Sequence, residues 1–293
     1  MRRGLSIAKA TALEILSEPL SLLLLLTAVA VATLAPALHY HQFGEPSRMA
    51  RDAGFSALFT CGVLFAVFGS VKSVRREIDT STIMMTLSHP VSRGGFFCAK
   101  VAGVTLAYLV FAVTVSATTL TVVSGAEIGG RIAAKTGDVA RLWGPAIAAG
   151  TATMLVPLVV GGLLNRFARC RFVLTAFTLA AAVSSASQAF FFDAATFFRM
   201  SAVIILIAVF STVFLAASAA FSIRFKSGHA TALTGALFAA ALPAAGNYYL
   251  PDALRSGAAV PWGYVALAVA AALPAIALFI LLGIHLLTGR DIT

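Results

Sequence analysis

Charge is what this chain has least of. Only 11% of its 293 residues are Asp, Glu, Lys or Arg, where a soluble domain of this size carries about 25%. That scarcity, spread over long apolar stretches, excludes a soluble globular fold and places the chain among integral membrane proteins. Alternation of polar and apolar residues is missing as well, which excludes the strands of a membrane barrel. Helices remain, because they satisfy their own backbone groups inside hydrocarbon. Cysteine is nearly absent: Cys61, Cys98 and Cys170 are scattered and form no Cys-x-x-Cys pair. No disulfide framework is implied. Cys98 and Cys170 fall at expected cytoplasmic edges, where thiols stay reduced, and Cys61 reads as a small packing residue within a span.

Catalytic groupings are missing too. The chain has no H-E-x-x-H, no G-x-S-x-G, no paired carboxylates within a span and no charged residue near the centre of any span. Carriers driven by protons or ions keep an ionisable side chain at membrane depth, so that class is disfavoured. Gly129-Gly130-Arg131-Ile132-Ala133-Ala134-Lys135-Thr136 comes near a phosphate-binding loop but has Ala134 where the second glycine is required. It follows a membrane helix rather than a strand, faces outward, and is expected to be a plain loop. His39 and His41 flank Tyr40 at the outer end of the first span. Without a further ligand cluster they read as polar neighbours of an interfacial tyrosine, with metal binding the lesser alternative.

What the chain does have is apolar length. Hydrophobic residues make up 60% of it, and its mean hydropathy is +0.95. Eight runs are long enough to cross a bilayer: Leu20–Leu38, Ala53–Val74, Cys98–Val123, Leu142–Asn165, Phe172–Phe192, Met200–Ile223, Ala230–Leu250 and Pro261–Leu287. About 20 residues suffice for each crossing. Ala230–Leu250 contains Pro243, Gly246 and Asn247, so a re-entrant hairpin is the alternative there. The expected fold is all-α: one transmembrane domain over residues 1–293, a polytopic bundle of about eight transmembrane helices, or six plus a hairpin.

Basic residues set the orientation. With the N-terminus inside, cytoplasmic segments hold 14 of the 21 Lys and Arg, and the opposite side holds 7. Acidic residues divide 5 inside and 6 outside, so the inner side is the positive one, as orientation rules require. Both termini are then expected in the cytoplasm, at the cell's inner (plasma) membrane. The net charge of +10 is topological and gives no reason to invoke nucleic acid. At the N-terminus Leu5, Ala8, Ala12, Ile15 and Leu16 recur at helical spacing, apart from Arg2, Arg3, Lys9 and Glu14. Residues 1–19 therefore read as an amphipathic helix lying in the interface and ended by Pro19. A cleaved signal peptide with Ala35-Pro36-Ala37 as its cleavage site competes, but the apolar region starts too late and runs too long.

Two polar groups stand out. Ser184, Ser187 and Gln188 share one face of the fifth span, where helix-to-helix hydrogen bonding is the first reading and lining a substrate path the second. The other is the segment Arg75–Lys100, RREIDTSTIMMTLSHPVSRGGFFCAK, wedged between two apolar runs. Thr80 or Ser81 can cap a helix N-terminus. Ile83, Met84, Met85 and Leu87 make a short apolar helix that Ser88-His89-Pro90 ends, and Ser92 or Arg93 opens the next. Such a surface can dock in a groove of another protein, or it is an ordinary interfacial loop.

Arg76, Glu77, Ile78, Asp79, Thr82, Leu87, Ser88, Pro90, Val91, Ser92, Arg93 and Lys100 together resemble the coupling region of type-2 ATP-binding-cassette (ABC) permeases, whose motif is close to R-E-[IK]-[ED]-x-G-T-x-x-x-L-L-S-x-P-V-S-R followed by a G-K pair. Ser81 stands at the usual glycine and Ala99 replaces the glycine before Lys100. Glu18-Pro19 resembles the end of the family's elbow helix. The resemblance implies a membrane-spanning exporter subunit, itself not an enzyme and binding no cofactor, with ATP-Mg held by separate cytoplasmic ATPase subunits. It implies a second permease copy as partner and surrounding membrane lipid. The coupling segment, residues 75–97, would meet the ATPase through Arg76, Glu77, Asp79, Thr80, Thr82, Leu87, His89, Pro90 and Arg93. Glu77 and Asp79 would touch basic residues of the ATPase or cap the short helix, while Arg93 and Lys100 would hold phospholipid head groups. An ion-coupled carrier and a non-transporting membrane anchor are the alternatives.

Overall fold

The computed structural model describes residues 2–38, 46–79, 92–136, 144–169, 171–226, 229–237 and 260–289. Its helices are α1 (Arg2–Leu16), α2 (Pro19–Leu38), α3 (Pro46–Asp79), α4 (Arg93–Thr136), α5 (Gly144–Ala168), α6 (Phe172–Phe190), α7 (Ala194–Arg224) and α8 (Trp262–Thr288). Residues 229–237 are helical as well, and no strand occurs among the described residues. Helices α3 to α8 are six that are long and apolar enough to cross a membrane, and α1 with α2 forms a pair bent by 64° that brings the number to seven. The chain is a multi-pass, all-helical membrane protein. Of the expected run Ala230–Leu250, residues 238–250 lie outside the described part, with Pro243, Gly246 and Asn247 among them.

Several helices run past the expected apolar limits. Helix α3 has 34 residues and α4 has 44, where about 20 span the hydrocarbon. Hydropathy falls at Lys72–Asp79, but Lys, Arg and Glu are good helix formers and the backbone ladder continues through them. The stretch Gly129–Thr136, expected as a loop, is helical and belongs to α4. Its Arg131, Ile132, Ala133, Ala134 and Lys135 sustain a helix that two glycines weaken without ending. The starts are chemically marked. The Gly95 N–H donates to Ser92 Oγ at 3.1 Å, so Ser92 caps α4 by satisfying one of its orphan donors. Pro19 is the first residue of α2, where its missing N–H costs nothing, and α1 has already ended at Leu16. Proline thus opens α2 rather than closing α1.

The chain divides into two compact units. One comprises Met1–Ile15, Val63–Tyr108 and Ile205–Thr293, the other Leu16–Gly62 and Leu109–Ile204. In the first, α1 buries Thr11, Ala12 and Ile15 and leaves Leu5 and Lys9 exposed. Glycines make the notch it fills: a Cβ on Gly103 of α4 would stand 2.5 Å from the Ala8 carbonyl oxygen and 2.7 Å from Thr11 Cβ, and one on Gly69 of α3 would touch Ile15 and Val104. Close approach through small residues is how helices associate where no hydrophobic effect separates them from lipid. Ser70 of α3 hydrogen-bonds Ser218 of α7, and Phe221 of α7 meets Phe279 of α8 edge to face. Gly283 of α8 takes the ring of Phe97 from α4.

In the second unit, Gly150 of α5 faces Thr33 of α2, Gly161 of α5 faces Ala176 of α6, and Gly54 of α3 faces Thr119 of α4. Every residue of α4 from Thr114 to Ala126 is buried. Ala50, Leu120, Val122, Val123 and Met200 pack as one apolar cluster with Phe55 and Ile204 at its edge. Within the buried stretch, Thr114, Thr118, Thr119 and Thr121 each donate to the carbonyl four residues back, at 2.8 to 2.9 Å, which hides their hydroxyls inside the helix.

Gly103→Val is expected to unseat α1 and to lower the melting temperature of the detergent-solubilised chain by several degrees, the effect of about 1–3 kcal/mol of overpacking. Gly162→Ala, on α5 with open space around it, is expected to be neutral or to gain up to about 1 kcal/mol of helix propensity. Fluorescence-detected gel filtration after heating measures both.

Candidate functional site

The candidate coupling segment joins α3 to α4. Of its expected contact residues, Arg76, Glu77 and Arg93 are described, Asp79 is the last residue of α3, and Thr80, Thr82, Leu87, His89 and Pro90 lie outside the described residues. The site is therefore its two flanks, and both are built of ion pairs and helix caps.

On the α3 side, three consecutive charges point three ways. Arg75 Nη1 donates to the carbonyl of Phe225, just past the end of α7, at 3.4 Å. Arg76 Nη1 pairs with Glu14 Oε1 of α1 at 2.9 Å, an exposed contact with side chains 57% and 38% accessible. Glu77 reaches across to α4, where its Oε1 lies 2.5 Å from Lys100 Nζ. This second pair is of another kind. The Lys100 side chain is only 4% accessible and that of Glu77 22%, and the ammonium also sits 6.0 Å above the ring of Phe96, a cation–π distance. Glu77 Oε2 is buried without a hydrogen-bond partner among the described residues.

On the α4 side, Arg93 Nη1 donates to the carbonyls of Leu287 and Thr288 at 3.4 and 3.2 Å. These are terminal carbonyls of α8, left unpaired by the helix ladder and favouring a cation. Gly94 lies against Ile284 of the same helix. The residues bounding the segment thus fasten it to α1, α7 and α8, and its two ends to each other.

These placements amend the expected roles. Lys100, expected at phospholipid head groups, is buried and paired with Glu77 instead, because a lone ammonium inside an apolar run needs a counter-charge. Arg93 is engaged with the α8 terminus. Sequence reasoning did not join Glu77 to Lys100, although one signal was present: Lys100 stands inside the apolar run Phe96–Tyr108 with no charged neighbour.

The second candidate group lies on α6. Ser184 is fully buried and donates to the Ala181 carbonyl at 3.0 Å. Gln188 Oε1 stands 3.2 Å from Thr121 Oγ1 of α4, whose one proton is shared with the nearer Ala117 carbonyl, while Gln188 Nε2 is buried without a partner among the described residues. Ser187 is half-buried beside them. A further polar knot joins α4 to α7: the Thr196 hydroxyl lies 2.7 Å from Asp193 Oδ2 and 3.0 Å from Glu127 Oε2, with one proton shared between the two carboxylates, and Arg199 lies 3.9 Å from Glu127. Asp193 also accepts the Thr196 N–H at 3.2 Å, which caps α7. No three His, Cys, Asp or Glu side chains gather as a metal site among the described residues. His39 and His41 are outside them.

No curated protein and no solved structure matches the chain. A family model described as "ABC-2 family transporter protein" matches residues 18–247, which takes in α2 to α7, both flanks of the coupling segment and the polar contacts of α6. With that match covering well over half of a multi-pass helical chain, this protein belongs to the ABC-2 transporter family and is a membrane permease component of an ABC transporter.

Proposed function

We propose that the chain is the permease half of an exporter driven by a separate cytoplasmic ATPase, which docks on residues about 76–93. The observation that carries this reading is the family match together with the motif from Arg76 to Arg93, whose flanks are braced against three other helices. A segment so braced suits the passing of force from a partner into the bundle. ATP-Mg belongs to the partner, and the chain itself catalyses nothing. Two permease copies assemble around the transport path, within the lipid of the cell's inner membrane, with both termini in the cytoplasm. Ser184, Ser187 and Gln188 are the side chains we assign to the path, on the strength of the buried Gln188 amide.

Affinity purification of the tagged permease in mild detergent is expected to recover an ABC ATPase. Leu87→Asp is expected to cut that recovery about tenfold or more, since losing one buried leucine from a protein groove costs about 1.5–3 kcal/mol. Full transport in proteoliposomes without ATP would instead make the protein an ion-coupled carrier, and a stable complex without any transport would make it an anchor.

Orientation is tested separately. A single cysteine at position 89, placed by His89→Cys after Cys61, Cys98 and Cys170 are changed to Ser, is expected to react with a membrane-impermeant maleimide only once cells are opened. Labelling in intact cells would put the segment outside, where no ATPase works.

A further inference from the structure

We propose that Glu77 and Lys100 form a clasp at the base of the coupling segment, and that both act as positioning residues for it rather than as contacts for the ATPase or for lipid. The inference rests on the reading of the segment as the ATPase's docking site. Lys100 cannot serve a head group from its present place, because its side chain is 4% accessible and its ammonium is taken by Glu77 at 2.5 Å. Glu77 Oε2 has no partner among the described residues, so Lys100 is the compensation that the structure gives this largely buried carboxylate. The pair connects the last turn of α3 to the second turn of α4.

Geometry indicates what the clasp does. The pair ties the end of α3 to the start of α4, and a stretch of chain closed at its two ends has less conformational freedom than an open one. A push on the segment then reaches α3 and α4 together instead of splaying them. Gly103, one turn beyond Lys100, is where α1 seats on α4 through Ala8 and Thr11, so the same clasp keeps α1 in register with the hairpin. The neighbouring Arg76–Glu14 pair joins α3 to α1 as well, but it is exposed and exposed pairs contribute little. Removing one member of a buried pair strands the other charge, whereas removing both does not. The two pairs therefore respond differently to mutation.

The test uses the purified complex of permease and co-purifying ATPase in nanodiscs. The variants are Glu77→Gln, Lys100→Met, the two combined, and the reversal Glu77→Lys/Lys100→Glu, with Glu14→Gln as control. Each single variant is expected to retain its ATPase within about twofold while permease-stimulated ATP hydrolysis falls about tenfold. The combined variant or the reversal is expected to regain activity to within about threefold of wild type, and Glu14→Gln to stay within about twofold. Loss of the ATPase from Glu77→Gln in the proportion seen for Leu87→Asp would make Glu77 a docking contact and overturn the clasp. So would double variants no better than the worse single one. Melting of the permease alone decides the pair without any ATPase: strongly non-additive effects of the two single changes support it, and additive ones overturn it. If wild-type permease recovers no ATPase, the docking reading falls while that melting cycle still judges the pair.

Discussion

Hydrocarbon offers no hydrogen bonds, and nearly every feature of this chain answers that one constraint. Backbone groups must be satisfied within each segment, which leaves helices as the spanning elements. Side-chain hydroxyls face the same demand and meet it locally, as Thr114, Thr118, Thr119 and Thr121 do along α4. Contact between helices then depends on closeness rather than on water exclusion, and Gly54, Gly103, Gly150 and Gly283 are the places where one helix lets another in. Where a full charge cannot be avoided in a buried place, it comes with its opposite, as Lys100 does with Glu77.

The type of the elements was legible because apolar length is a one-dimensional signal, while their number was read as about eight where six helices, or seven with the bent pair, are long and apolar enough among the described residues. The apolar runs from Leu20 to Leu38 and from Ala53 to Val74 lie inside α2 and α3. Their limits were less legible, because hydropathy reports where lipid ends and the helix ladder does not stop there. Arg75, Arg76 and Glu77 continue α3, and Arg131 to Lys135 continue α4. Pro19 was read as an end because proline breaks helix interiors, yet at a first position it is a start.

The site was legible as a motif and not as a geometry. Glu77 and Lys100 are 23 positions apart, and no local periodicity relates residues on different helices. Their meeting depends on α3 and α4 packing as a hairpin, a tertiary fact that the residue pattern carries only as a lysine stranded among apolar neighbours. Arg93 is similar: its acceptors, the Leu287 and Thr288 carbonyls, are backbone atoms almost two hundred positions away. Charged residues beside a helix end look solvated in sequence, and here they close gaps between helices.

The threonines of α4 change how its chemistry is to be counted. On a hydropathy scale they tint the middle of that helix as hydrophilic, and a stripe of hydroxyls invites the picture of a wet conduit. With its proton given to a carbonyl one turn below, as in Thr114, Thr118 and Thr119, a threonine has less polarity to offer its surroundings. The threonines of α4 therefore add less polarity to its surroundings than their number suggests.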